Sequence, residues 1–274
     1  MNGDRLPQGW LDRLDNNQQA GSRPRCIQLM SGDPEDVANR LNTIVNYNGV
    51  GISANDERMP RGIPLDWQGR EWDNAWIQEA TLGGQNGLID ESIANQARAW
   101  WLANRGNIPH WDIASTCKVN EERGILLIEA KAHAGELEAE CRGKELRDDA
   151  TEDSFQNHVK IGHAIADAAA HLYRVTEVPW AISRDTHYQL SNRFAWAWKL
   201  ADLGLHVVLV YLGFLEAEEM GNGAFADADA WERCILEHSK GIVPEEMWGQ
   251  HIALGDNRGS ILPLIRSVGI GLPQ

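Results

Sequence analysis

Two apolar runs constrain this chain more than anything else in it: GILLIEAKA at residues 124–132 and LHVVLVYLGFL at residues 205–215. A membrane-spanning helix needs roughly 20 apolar residues. The longer run has only 11, so it is expected to be a buried strand and not an anchor. The shorter run follows the turn-like segment at 120–124 and also reads as a buried strand. Inside it, Glu129 and Lys131 are two residues apart. Strand side chains alternate faces, so both point the same way, about 6.6 Å apart along the chain, while Ile128 and Ala130 point to the other side. Charges on an apolar strand must be paired or bind a metal. A mutual ion pair at a strand end meets that requirement, and so does a metal site.

Residues 109–119, PHWDIASTCKV, read as a second strand that forms a hairpin with the first. Antiparallel neighbours lie about 4.8 Å apart, so pairing brings Asp112 towards Glu129. Two carboxylates and a lysine then converge. Carboxylates are hard oxygen ligands suited to Mg²⁺. The lysine is placed to orient a metal-bound water or to stabilise charge on a phosphate.

Downstream, residues 188–201 place Leu190, Phe194, Ala197, Trp198 and Ala201 at helical spacing, with Gln189, Asn192, Arg193 and Trp196 on a neighbouring face. The apolar stripe packs. The polar face lines a cleft or meets solvent. Between this helix and the 124–132 strand lies a long amphipathic helix whose apolar side is read as Phe155, Val159, Gly162, Ala166, Ala169 and Tyr173.

Asp112 followed by Glu129-Ala130-Lys131 resembles the D…(D/E)xK signature of the PD-(D/E)XK nuclease superfamily, with Pro109 displaced to three residues before the aspartate. Gln189 on a helix leading into the 206–212 strand matches the order of RecB-type members. The resemblance covers residues 112–211. It implies Asp112 and Glu129 as ligands of Mg or Mn, Lys131 assisting the attacking water, and Gln189 placing the lysine or substrate. The family also commonly supplies a glutamate from its first core helix, for which Glu91 is the candidate and Glu79 the runner-up. Arg193 stands where the usual tyrosine would be, a departure that leaves its role open.

The rest of the chain is organised around this core. At 274 residues and 43% hydrophobic it can bury a sizeable interior. An N-terminal extension is expected over 1–70, the core over 71–215, and a helical and loop segment over 216–274. In the first, Asp33 and Pro34 open a helix with Val37, Leu41, Ile44 and Val45 as its apolar side. In the last, a helix around 227–239 precedes a Gly/Pro-punctuated tail. Trp100, Trp101, Trp196 and Trp198 fall in helical patterns and are expected to pack. The fold class is α/β, a mixed central sheet flanked by helices, with a restriction-endonuclease-like core and additions at both ends.

The start of the chain lacks the basic and apolar regions of a secretory signal. Its four cysteines form no CxxC pair, fitting neither a zinc ribbon nor a disulfide framework, so a cytoplasmic protein is expected. Neither a phosphate-cradling GxxxxGK[ST] nor a nucleophile elbow is present, and residues 81–87 read as a loop. His158, His163, His171, and Asp185 with His187, have no diagnostic zinc spacing.

Charge opposes the implied substrate. With 25 Lys+Arg against 40 Asp+Glu, the net charge is -15, whereas phosphate binding calls for the opposite sign. Residues 200–232 carry seven acids and no Lys or Arg. That face is a solvated surface or a docking site for a protein partner. The expected activity is metal-dependent hydrolysis of nucleic acid, DNA foremost. The alternative is a catalytically silent protein-interaction module on the same fold.

Overall fold

The computed structural model describes residues 6–83, 86–215 and 217–272. Glu216 of the acidic run and residues 84 and 85 of the expected loop lie outside them. The N-terminal part contributes α1 (Ser22–Met30), α2 (Pro34–Val45), and the two-residue strands β1 (Val50–Gly51), β2 (Arg58–Met59) and β3 (Ala80–Thr81). Next come α3 (Glu91–Trp101), β4 (His110–Trp111), β5 (Ile113–Val119) and β6 (Glu122–Lys131). Three helices follow, α4 (Ala134–Glu138), α5 (Glu152–Thr176) and α6 (Tyr188–Asp202), then β7 (His206–Leu215), α7 (Ala228–Ser239), β8 (Ile252–Ala253) and β9 (Ser260–Gly269).

The central sheet is mixed, in the order β1-β5-β6-β7-β9-β8, with β2 also pairing with β5. β5 and β6 are antiparallel, whereas β6–β7 and β7–β9 are parallel. Parallel strands covered on both faces need apolar side chains throughout, which explains the two continuous runs. On one face Leu126, Ile128, Val208, Val210 and Leu264 pack with Leu29, Leu41 and Val45 of α1 and α2. On the other, Ile125, Leu127, Val207, Leu209 and Tyr211 pack with α3, α5 and α6. Glu129 and Lys131 belong to this second face by alternation.

Local chemistry accounts for the boundaries. Asp33 caps α2 by accepting from the Glu35 amide, with Pro34 in the first turn, and Val37, Leu41, Ile44 and Val45 are buried as expected. Asp227 caps α7 by accepting from the Ala230 amide. The hairpin turn is Asn120-Glu121, both at positive φ, as a two-residue turn of matching twist requires. The turn is therefore tighter than the 120–124 span implies.

Four features depart from the sequence reading. The 109–119 strand breaks at Asp112, because β4 leaves the main sheet to pair with β3. The buried side of α5 is Ile161, Ala164, Ile165, Ala168 and Leu172, while Phe155 and Tyr173 are 50% and 55% exposed. The stripe that is buried is the one turned towards α6 and α3, so tertiary packing and not local periodicity selects it. α6 is buried almost all round, since it lies between the sheet and α3 and α5. Finally, the tail contains β9, a full strand paired along β7. Strands from residues 1–70 and 216–274 thus complete the sheet of the expected 71–215 core. Among the described residues, no helix is long and apolar enough to cross a membrane.

β9 begins beside the end of α6, where the Gly259 amide donates to the Ala201 carbonyl at 2.7 Å. A Cβ at Gly259 would overlap the Leu205 carbonyl, so only glycine allows this approach. Gly259→Ala is expected to destabilise the protein by about 2–3 kcal/mol, the scale of overpacking a filled site. Denaturant unfolding reads this directly; an unchanged midpoint would mean β9 does not start here.

Candidate functional site

β5 and β6 pair with Ile113 opposite Ile128, a register that puts Asp112 across from Glu129 on the α6 side of the sheet. Asp112 sits in the break between β4 and β5, and its Oδ2 accepts the Ala130 amide at 2.8 Å. That bond anchors the carboxylate to the partner strand. Both carboxylates line an open cavity of about 370 Å³, together with Glu79, Lys144, Gln189 and Arg193.

Glu129 is the hub of a buried network. Its Oε1 accepts from Lys131 Nζ and from Gln189 Nε2 (2.6 Å), and its Oε2 accepts from Arg193 Nε (2.6 Å). Lys131 is also ion-paired with Glu140 at 2.6 Å. Arg193 in turn lies 4.6 Å over the Trp111 ring, which fixes its plane. The four-residue cluster of Glu129, Lys131, Arg193 and Glu140 is almost entirely out of solvent. Such ions are tolerated only because each has a partner.

The electrostatics are uneven. Burial works to raise the Glu129 carboxyl, but Arg193 and Lys131 outweigh it and hold it below the usual range. Burial, with the Glu129 charge added, pushes Asp112 up to about 7 despite the nearby lysine. Burial likewise pushes Glu140 up to about 7, against the pull of Lys131. Three carboxylates face two cations. The unmatched charge falls on Asp112, which forms no ion pair among the described residues.

Asp112, Glu129 and Gln189 converge on the cavity wall. Lys131 shares the Glu129 face but does not line the cavity, because its ammonium is held between Glu129 and Glu140. Glu91 is exposed in the first turn of α3 and does not border the cavity. The runner-up, Glu79, does border it, near Arg23 and His110. Glu79 precedes β3, which pairs with β4 and so delivers it beside Asp112. The sequence reading missed Glu140 and Lys144. They lie in the segment after α4, where no periodicity marks which side chains turn inward.

Comparison with protein-family models, with curated proteins and with solved structures finds no match. Hard oxygen donors Asp112 and Glu129, with Glu79 nearby, suit a small divalent cation. Arg193 and Lys144 add positive charge to the same wall and suit an anionic substrate.

Asp112 gives a pH prediction whose sign follows from its raised pKa. The folded form holds a proton that the unfolded chain releases from about 3.8 upward, so this group's stability contribution is complete below 3.8 and is lost as pH rises through about 7. Asp112→Asn keeps the acceptor for the Ala130 amide and removes the charge. In chelator the variant is expected to be more stable than wild type by about 1–2 kcal/mol above pH 7, because partial exposure screens the full shift. The difference should vanish near pH 4. Thermal unfolding across that range checks it; a destabilised variant at high pH would contradict the reading.

Proposed function

We propose that the cavity hydrolyses phosphodiester bonds in nucleic acid, DNA foremost, using Mg²⁺ or Mn²⁺ held by Asp112 and Glu129 in a restriction-endonuclease-like core. The observation that carries this reading is the cross-strand pair itself. Asp112 and Glu129 face one another on a cavity wall, and the charge on Asp112 is left without a cation. Bound there, the metal would supply a nucleophilic water at neutral pH and polarise the phosphoryl oxygen.

The protein's own residues do the remaining work. Arg193 and Lys131 hold Glu129 ionised, and Gln189 helps to fix its rotamer. Arg193 and Lys144 receive the phosphate and offset charge as it develops. Glu129 accepts three hydrogen bonds against roughly four lone-pair positions, so one remains for a metal.

Arg193 favours a second reading. Its guanidinium occupies Glu129 Oε2, where a metal ligand oxygen would be needed, and the net charge of -15 opposes DNA binding. On that reading the cluster is a structural ion network and the acidic surface binds a protein partner. Incubation with single- and double-stranded DNA and RNA in Mg²⁺, Mn²⁺ or chelator separates the two. Cleavage in metal alone supports the enzyme; intact substrates throughout support the interaction module.

A further inference from the structure

On the far side of Glu140 from Lys131, three residues distant in sequence come together: Cys141, His187 and His238. One ligand atom from each lies within 4.8 Å of the others. We infer that this cluster is a binding site for a borderline-soft divalent cation, zinc foremost, which clips three elements together beside the carboxylate cavity.

The three elements are independent. Cys141 ends the 3-10 turn Ala139–Cys141, His187 caps the start of α6, and His238 lies in the last turn of α7. A tetrahedral zinc with ordinary bond lengths to sulfur and nitrogen sets those two donors about 3.6 Å apart. Cys141 Sγ and His238 Nδ1 are 3.8 Å apart. The contact needs little adjustment.

The ring nitrogens are also assigned in the right sense. His187 Nδ1 is engaged by the Thr186 hydroxyl at 2.8 Å, which leaves Nε2 for a metal. His238 directs Nδ1 at the cysteine, and its Nε2 lies 3.7 Å from Glu140 Oε2. Ligating histidines commonly donate their second N–H to a carboxylate, which sets the tautomer and strengthens the donor. The His238 side chain is only 4% exposed, and neither its Nε2 nor Glu140 Oε2 has a hydrogen-bond partner, while Glu140 Oε1 faces Lys131. Unpartnered polar atoms this deeply buried are uncommon. Coordination through Nδ1 draws the ring into the geometry that satisfies Nε2 and Glu140 together.

Two imidazoles and a thiolate make a three-ligand set, with Cys141 on the exposed side. A fourth position is open to water. The same turn carries Glu140, the ion partner of Lys131, so the clip would hold that carboxylate against the network under Glu129.

Cobalt(II) reports this site by spectrum, since a thiolate ligand produces a sulfur-to-cobalt charge-transfer band and a tetrahedral centre produces strong visible bands. Chelator-stripped full-length protein titrated with Co²⁺ should show both at one equivalent, and Zn²⁺ should abolish them. Cys141→Ser, at an exposed position that folding tolerates, should lose the charge-transfer band. Cys234→Ser, one turn before His238 on α7, should retain it. Asp112→Asn should retain it too, so the result stands apart from whether the cavity cleaves phosphodiesters. A wild-type protein without the band, a band surviving in Cys141→Ser, or one lost in Cys234→Ser would overturn the assignment.

Discussion

Glu129→Ala is expected to lower the free energy of unfolding by about 3–5 kcal/mol, the cost of leaving a buried charge unpaired. Glu129 is the shared acceptor of Lys131, Arg193 and Gln189, and all but Gln189 are fully enclosed. Among the described residues, truncation leaves the guanidinium with Asn192 as its one side-chain acceptor, at 2.9 Å, and with its stacking on Trp111. Neither contact neutralises it. The intact network is not a large net source of stability, since desolvation offsets most of the Coulombic gain. Its removal in part is what costs. Denaturant unfolding near neutral pH measures the effect, and a loss under about 1 kcal/mol would mean the ions are solvated and the network is not closed.

Lys131→Met carries the largest expected effect on activity, a fall of about 10²-fold in hydrolysis rate, the scale of misplacing a metal-binding carboxylate, because Lys131 acts through its hold on Glu129. The variant should nevertheless remain folded. Glu140, its pKa already pushed up to about 7, takes a proton at little cost when its partner is gone. Glu129 keeps Arg193. Methionine fills the volume of the lysine stem, so no cavity opens. Single-turnover rates on the best substrate, beside an unfolding curve, separate the chemical effect from a folding defect. A rate within threefold of wild type would remove Lys131 from the reaction.

Much of the fold was legible because burial on both faces writes itself into composition. The runs in β6 and β7 leave no alternative to interior strands, and alternation puts Glu129 and Lys131 on one side without reference to anything else. The pairing of Asp112 with Glu129 followed from the hairpin. β9 was harder: Pro263 and the glycines around it suggest a loop, yet its first five residues are buried beside β7. The proline is tolerated within a strand that tertiary packing selects over local propensity.

The site was only partly legible, for a related reason. Glu79 and Glu91 are equivalent as acids in the sequence, and only the β3–β4 pairing decides which one reaches the cavity. Arg193 reads as one position on a polar helical face until its partner Glu129 is known. Cys141, His187 and His238 have no motif spacing, because their elements meet only in the folded chain. Contacts between residues far apart in sequence leave no local period to detect.

The proposed site stands on Asp112 and Glu129 together holding a divalent metal that cleaves phosphodiesters. The most direct measurement is the Mn²⁺-dependent cleavage rate of wild type and Asp112→Asn, side by side. Asparagine keeps the anchor to Ala130 and the fold but is a weaker metal ligand than a carboxylate. Wild type is expected to cleave and to stop in chelator, and the variant to be slower by about 10²-fold or more. Equal rates in the two proteins, or a wild type inert on every nucleic acid with either metal, would contradict it.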